Sequence, residues 1–377
     1  MFGALFEYGS FAAAAVAFFL FVRPCRFGVR AQALWAAVLL LCASKFHVFA
    51  ALGLDPFIPE LPPIVIALWG WANAGLFVLV AFACAGWFLR PRVKAWLLPL
   101  LAWGIAAWGV WGGVQEPVLR RVEVVVPDLP PALEGYTIAQ LADPHASSLL
   151  RAARTRRLVS LIDAARPDLV VCTGDIVDGR VNRRAADVLP LMDLQAPDGV
   201  WFVAGNHEFY GDAQAWKAWY ARQGFRFLRE EWVRVRPDLI VAGVDDEAAG
   251  RTGTATTNAA AVLARIPKTG AFTLFLQHRP GEARENAARG VDLQLSGHTH
   301  GGILPGFDRL VKNANNGFVR GLYDLGGGKK LYVSSGAGQW AGVPVRWFVP
   351  PEIAFLTLTR GKPRAPHADK AGQISPR

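Results

Sequence analysis

The chain has 377 residues, 53% hydrophobic and 19% charged, with a formal net charge of +10. That charged share falls below the roughly 25% usual for soluble domains, which disfavours a wholly water-soluble enzyme. Four cysteines (Cys25, Cys42, Cys84 and Cys172) with no Cys-x-x-Cys pair exclude a thiolate zinc site or a disulfide framework as the organising chemistry. The positive charge comes with no basic helix and no aromatic–basic ribbon, so nucleic acid is not an expected partner.

The charge deficit is local. Through Val114 the chain carries seven basic and three acidic residues, leaving 33 basic and 27 acidic for the rest. Composition thus divides the chain into a membrane domain at 1–116, a soluble domain at 117–361 and a polar, flexible tail at 362–377. Four apolar stretches come first, about 4–22, 31–54, 64–89 and 95–114. Each reaches the ~20 residues that a helix needs to cross a hydrocarbon core, so four transmembrane helices are predicted. Arg23, Arg26 and Arg30 lie between the first two stretches, and Arg90, Arg92 and Lys94 between the last two. Only Asp55 and Glu60 lie between the second and third. The positive-inside rule then places both basic loops in the cytoplasm and the soluble domain outside it. Lys45 and His47 fall inside the second stretch, where the preferred reading is a lysine snorkelling from near a helix end.

Strand-like runs and helical patterns alternate beyond the short proline-rich passage Pro127–Pro131. The runs are 122–126, 136–141, 169–173, 200–203, 239–244, 273–276 and 293–295, followed by 331–333, 345–348 and 353–358. Helices are predicted over 152–165, 183–194, 213–222, 258–264 and 282–289. This rhythm predicts an α/β domain with helices packed on sheets.

Polar clusters stand where these strands end. In order they are Asp143-Pro144-His145, Gly174-Asp175-Ile176-Val177-Asp178, Gly205-Asn206-His207-Glu208, His278, and Gly297-His298-Thr299-His300. They contain five of the seven histidines. Ligands gather at the carboxyl ends of strands in α/β sheets, so the five clusters can converge on one site. Singly, each is as well read as a turn.

In this order the motifs resemble the calcineurin-like metallophosphoesterase superfamily, over about 122–358, and the ending Gly321-Leu322-Tyr323, Leu331-Tyr332-Val333-Ser334-Ser335-Gly336 and Pro351-Glu352-Ile353 resembles its membrane-associated bacterial branch. The resemblance implies a four-layer α/β/β/α sandwich and two divalent or trivalent metal ions, with Mn, Fe or Zn suiting the donors. It assigns Asp143, His145 and His300 to one metal and Asn206, His278 and His298 to the other, with Asp175 bridging both. It further implies attack on a phosphate ester by a hydroxide between the metals. His207 would protonate the leaving oxygen and Asp178 would orient it. Diesters are slightly favoured over monoesters. The expected setting is the bacterial inner membrane, and location alone suggests an envelope substrate, a lipid-linked phosphate among them. Two positions depart from the pattern, Pro144 in the first motif and Ile303 after Gly302, and neither removes a ligand. Arg279, Arg320 and Arg346 could contact substrate anions, but are read as surface or structural arginines. The competing class is a catalytically silent membrane binding or transport protein with a regulatory phosphoesterase-like domain. It would be expected to lack a ligand, and none is lacking.

Overall fold

The computed structural model describes residues 2–89, 97–251, 253, 257–303 and 306–361. The predicted tail at 362–377 and the basic loop of Arg90, Arg92 and Lys94 lie outside the described residues.

The described residues of all four apolar stretches are mostly helical. Helix α1 (Phe2–Ala17) continues as a π-helical turn to Val22, and α2 (Val29–Ala43) is followed by α3 (Lys45–Ala51). After a loop come α4 (Pro63–Leu89) and α5 (Leu97–Gly113). Among the described residues, one helix is long and apolar enough to span a membrane on its own, over Pro63–Gly86, or two if α2 and α3 count as one broken span. The second stretch is therefore not the single straight helix that its composition predicts: α2 and α3 meet at 65°. Ser44 sits at the break, its hydroxyl donating back to the Leu41 carbonyl at 2.8 Å, a bond that bends helices. Lys45 does not snorkel either. Its side chain is buried and its ammonium donates to the carbonyl of Gly342, far along the chain. Alanines of α1 (Ala13, Ala14 and Ala17) and Ala102 of α5 lie in the bundle core with Leu76 and Leu79 of α4, small residues of the kind that let helices approach closely.

The second half begins with β1 (Val118–Val125), β2 (Thr137–Leu141), α6 (Ala152–Ala165), β3 (Leu169–Thr173), α7 (Val181–Val188), β4 (Val200–Val203) and α8 (Ala213–Gln223). It continues through β5 (Glu231–Arg236), β6 (Leu239–Gly243), α9 (Ala248–Arg251), α10 (Ala259–Ala264), β7 (Phe272–Leu276), α11 (Ala283–Ala288) and β8 (Leu293–Ser296). Last come α12 (Phe307–Ala314), β9 (Gly321–Gly326), β10 (Lys329–Val333) and β11 (Glu352–Thr359). Two sheets result, ordered β1-β11-β2-β3-β4 and β5-β6-β7-β8-β10-β9. Alternate side chains of both sheets meet in one core, where Ile138, Val171 and Leu356 of the first face Val241, Leu274 and Leu295 of the second. On the outer face of the first sheet, Cys172 and Phe202 pack under Leu158 and Ile162 of α6 and Trp216 of α8. On the outer face of the second, Val262 and Leu263 of α10 cover Ala242 and Phe275. Helices thus cover the outer faces of two facing sheets, in the layer order α/β/β/α.

One predicted strand does not form. Residues 345–348 run as a loop, because their backbone groups are bonded elsewhere: Arg346 N–H donates to Gly109 in α5 at 2.8 Å and Trp347 N–H to Ile303 at 3.0 Å. Pro344, Pro350 and Pro351, which lack N–H donors, bracket the segment. It seats the two-sheet half of the chain on the helices, with Trp347 packed among Ala74 of α4 and Ala106 of α5.

Candidate metal centre

The loops leaving β2, β3, β4, β7 and β8 bring the five polar clusters together. Successive loops are stitched by their backbones, Asp143 N–H to Gly174 at 3.1 Å and His145 N–H to Asp175 at 3.1 Å. Gly205 and Gly297 are glycine for space: a Cβ on either would run into a carboxylate, that of Asp175 and that of Asp143 respectively.

Three groups of potential ligands form, each with its donor atoms within 4.8 Å of one another: Asp143, His145 and His300; His145, Asp175 and His207; and Asp175, His278 and His298. Asp175 is central. Its Oδ2 lies 3.2 Å from His278 Nε2, 3.8 Å from His145 Nε2 and 3.9 Å from His207 Nε2. Its Oδ1 accepts the backbone N–H of His207 at 2.9 Å. The Oδ1 of Asn206 points at His278 Nε2, 3.2 Å away, while its amide nitrogen donates to Tyr210 Oη at 2.9 Å. Every residue predicted from sequence to hold a metal is therefore in the cluster, all buried except the partly buried His298.

Surrounding atoms set the ring orientations. His278 Nδ1 lies 2.7 Å from the Thr173 carbonyl, so Nδ1 carries the hydrogen and Nε2 is left to face the site. Asp178 Oδ1 contacts Nδ1 of both His207, at 2.6 Å, and His145, at 2.9 Å, so it orients two rings rather than the one expected. Its Oδ2 accepts from Ala341 N–H at 3.0 Å.

The charges follow. Burial opposes ionisation of Asp175 and Asp178, but the imidazoles around them outweigh it and hold both carboxyls well below the usual range. Burial likewise opposes the charge on His278, yet Asp175 pushes its pKa up to about 10. His298 and His300 are held well below the ordinary imidazole range, by burial and then by positive neighbours, Arg279 for the first and His145 for the second. Both are therefore neutral, with lone pairs to offer. Burial pushes Asp143 up to about 6, and its Oδ2 is buried with no hydrogen-bond partner. A buried carboxylate oxygen without a donor is costly, and a cation at that point removes the cost. The oxygen- and imidazole-rich donors fit Mn, Fe or Zn cations.

Glu208, named in the third cluster, has no role assigned to it from the sequence. The carboxylate of Glu208 collects four backbone N–H groups, from Asp175, Ile176, Val177 and Gly205, at 2.7–3.2 Å. Burial and Asp175 push it up to about 8, against which the four donors favour its charged form. Arg346 is buried and structural as expected, donating to Ser335, Gly338 and Gln339 with one nitrogen 3.1 Å from His300 Nδ1. Arg279 Nε donates to Asp246 at 2.7 Å. Arg320 is exposed. A cleft of about 1050 Å³ opens over the cluster, lined among others by Arg279, Ile303 and Trp340, and by Asp55 and Phe57 from the loop between α3 and α4.

Comparison with known proteins gives the family. Residues 136–302 match the sequence profile of the Calcineurin-like phosphoesterase family. An uncharacterized metallophosphoesterase of Aquifex aeolicus is 35% identical over 255 residues, which span 66% of this chain and 94% of that protein. A zebrafish protein described as a transmembrane protein with metallophosphoesterase domain is 29% identical over 298 residues, covering 73% of this chain and 64% of its own length. A crystal structure of a dimetal phosphatase from Danio rerio aligns with a TM-score of 0.36 at 16% identity, over 54% of this chain and 88% of that one. On the strength of the near-complete coverage of the Aquifex protein, and of the motif order that the profile recognises, the chain belongs to the calcineurin-like phosphoesterase family.

Proposed function

We propose that the protein hydrolyses phosphate esters, diesters in preference to monoesters, at a two-cation site beside a membrane. One arrangement carries this reading. Asp175 Oδ2 faces three imidazole nitrogens within 3.9 Å, and in the same cluster Asp143 Oδ2 lacks any partner. Asp143, His145 and His300 would hold the first cation; Asn206, His278 and His298 would hold the second; Asp175 would be shared. When bound, two cations of this kind acidify a water for attack and neutralise the phosphoryl oxygens.

The chain's own residues supply the rest. His207 directs Nε2 into the cluster while Nδ1 is held by Asp178 at 2.6 Å. Asp178 thereby orients the ring, and Nε2 delivers a proton to the leaving oxygen. An alkoxide needs that proton more than a good leaving group does, which suits alkyl esters. Asp178 also fixes His145, so one carboxylate sets both a ligand and the acid.

The membrane setting is part of the proposal: a multi-pass protein of a bacterial inner membrane, with domains at 1–116 and 117–361, four spans and the soluble domain outside the cytoplasm. Support comes from the loop between α3 and α4, whose Glu60 pairs with Arg184 of α7. That loop and the soluble domain share a side, as four alternating spans require. A reporter fused after Arg377 that is active only in the cytoplasm would contradict this orientation.

The test of function uses full-length protein stripped of metal and reloaded with Mn²⁺, Zn²⁺, Fe²⁺ or Ni²⁺, assayed on generic mono- and diesters. Metal-dependent hydrolysis that disappears in Asp175→Asn and Asn206→Ala is expected. Failure of a metal-loaded protein on every ester would overturn the reading.

A further inference from the structure

Two bulky apolar residues occupy backbone conformations that such side chains avoid: Ile303 at φ 63° and Phe348 at φ 59°. In this left-handed region a Cβ crowds the following carbonyl, and β-branched or bulky residues there are outliers. Where only a turn is needed, glycine or asparagine fits at less cost. The cost of placing such residues there points to a use of the side chains themselves.

The two positions are connected. Trp347 donates its backbone N–H to Ile303 at 3.0 Å and its indole N–H to Ile105 of α5 at 2.9 Å. Next to it, the Phe348 ring is 70% exposed and meets Trp108 of α5 edge-on, with centroids 4.7 Å apart. Leu100, Leu101, Trp108 and Trp111 are exposed on α5, and at 3.6 residues per turn they share one face about 100° wide. Ile303 itself lines the cleft. Phe348 thus extends the exposed apolar face of α5, and its buried neighbour Trp347 is bonded through its backbone to Ile303 in the wall of the cleft above the Asp–His cluster. On another wall Phe57, from the loop between α3 and α4, stacks on Trp340 at 5.5 Å, and Trp340 in turn lies 5.6 Å edge-on from His207. Elements of the membrane half therefore approach the site at two places. An ester of a small soluble alcohol would need neither.

We propose that the cleft takes an amphiphilic phosphate ester from the membrane, with its phosphate at the Asp–His cluster and its apolar chain against Ile303 and Phe348. This rests on the phosphoesterase reading above. Water attacks phosphorus, the bond from phosphorus to the leaving oxygen breaks, and the leaving oxygen gains a proton, so no other reactant is needed.

The experiment compares p-nitrophenyl methyl phosphate with p-nitrophenyl dodecyl phosphate on the full-length, Mn²⁺-loaded chain at fixed detergent concentration, reading p-nitrophenolate release. The expected dodecyl-to-methyl ratio of kcat/KM is about tenfold or more, the equivalent of burying about two methylenes. Ile303→Asn and Phe348→Asn should each cut that ratio, and the double variant should bring it close to one. Asparagine is better tolerated than a β-branched or aromatic residue at positive φ, and a melting temperature equal to that of the wild type checks that each variant keeps the fold. A ratio of one in the wild type would overturn the proposal, as would variants that lower both esters in equal proportion. Methyl ester turnover without chain preference sinks this inference alone. No turnover of either ester under any metal sinks the phosphoesterase reading with it.

Discussion

Asp143, His145, Asp175, His298 and His300 all have φ between 47° and 71°, a region that costs a non-glycine residue of order 1–3 kcal/mol. The surrounding hydrogen bonds must hold such residues in place, and Glu208 makes four of them with the loops that carry Asp175 and Gly205. Glu208→Ala would leave buried N–H groups unpaired and is expected to cost about 3–5 kcal/mol in urea unfolding, with Glu208→Gln costing less. The motifs name the ligands, because aspartate, asparagine and histidine at strand ends are visible in one dimension. They say nothing of the work of Glu208, whose partners Asp175, Ile176 and Val177 precede it by 31–33 positions. Away from the site, burial and then Asp245 push Glu230 up to about 7 from 4.5. An acid whose folded pKa is raised binds its proton more tightly when folded. Its stabilising contribution is complete below about pH 4.5 and is lost as pH rises through about 7. Glu230→Gln should accordingly flatten the dependence of Tm on pH between those limits.

At the scale of elements, β3 at Leu169–Thr173 and α6 at Ala152–Ala165 coincide with their predicted ranges, since β3 is a short apolar run ended by Gly174 and α6 carries a helical period. Strands β5 and β9 escaped notice. Each lies at an edge of its sheet, and charges such as Glu231, Arg234 and Arg236 dilute the apolar pattern of β5. The opposite error, a strand expected at 345–348, arose because apolar Val345, Trp347 and Phe348 serve contacts with α5 and Ile303 rather than a sheet. Such long-range partners cannot be read from local pattern. The loop between α3 and α4 poses the same difficulty: Glu60 reaches Arg184 across 124 positions, and Arg184 also holds Asp187 at 2.8 Å. Arg184→Ala should release this loop. Faster amide hydrogen exchange at 55–62 would register that release, whereas unchanged exchange would mean that Phe57 and Trp340 alone hold it.

At the scale of the whole molecule, two chemistries share one body. A bundle whose core is built of alanine and leucine supports a sandwich whose strand ends supply the ligands. Their interface is specific, with Lys45 bonded to Gly342 and Trp347 to Ile105. Composition alone divides the chain near residue 115, but it could not foretell that the halves build one cleft together. The central claim, hydrolysis at a paired-cation site centred on Asp175, is tested most directly by titrating metal into the stripped full-length protein while measuring bound metal and ester hydrolysis together. Activity should rise to a plateau at two bound equivalents per chain, and Asp175→Asn should neither bind the full complement nor turn over. A protein that binds two equivalents yet hydrolyses no ester, or one fully active without metal, would contradict it.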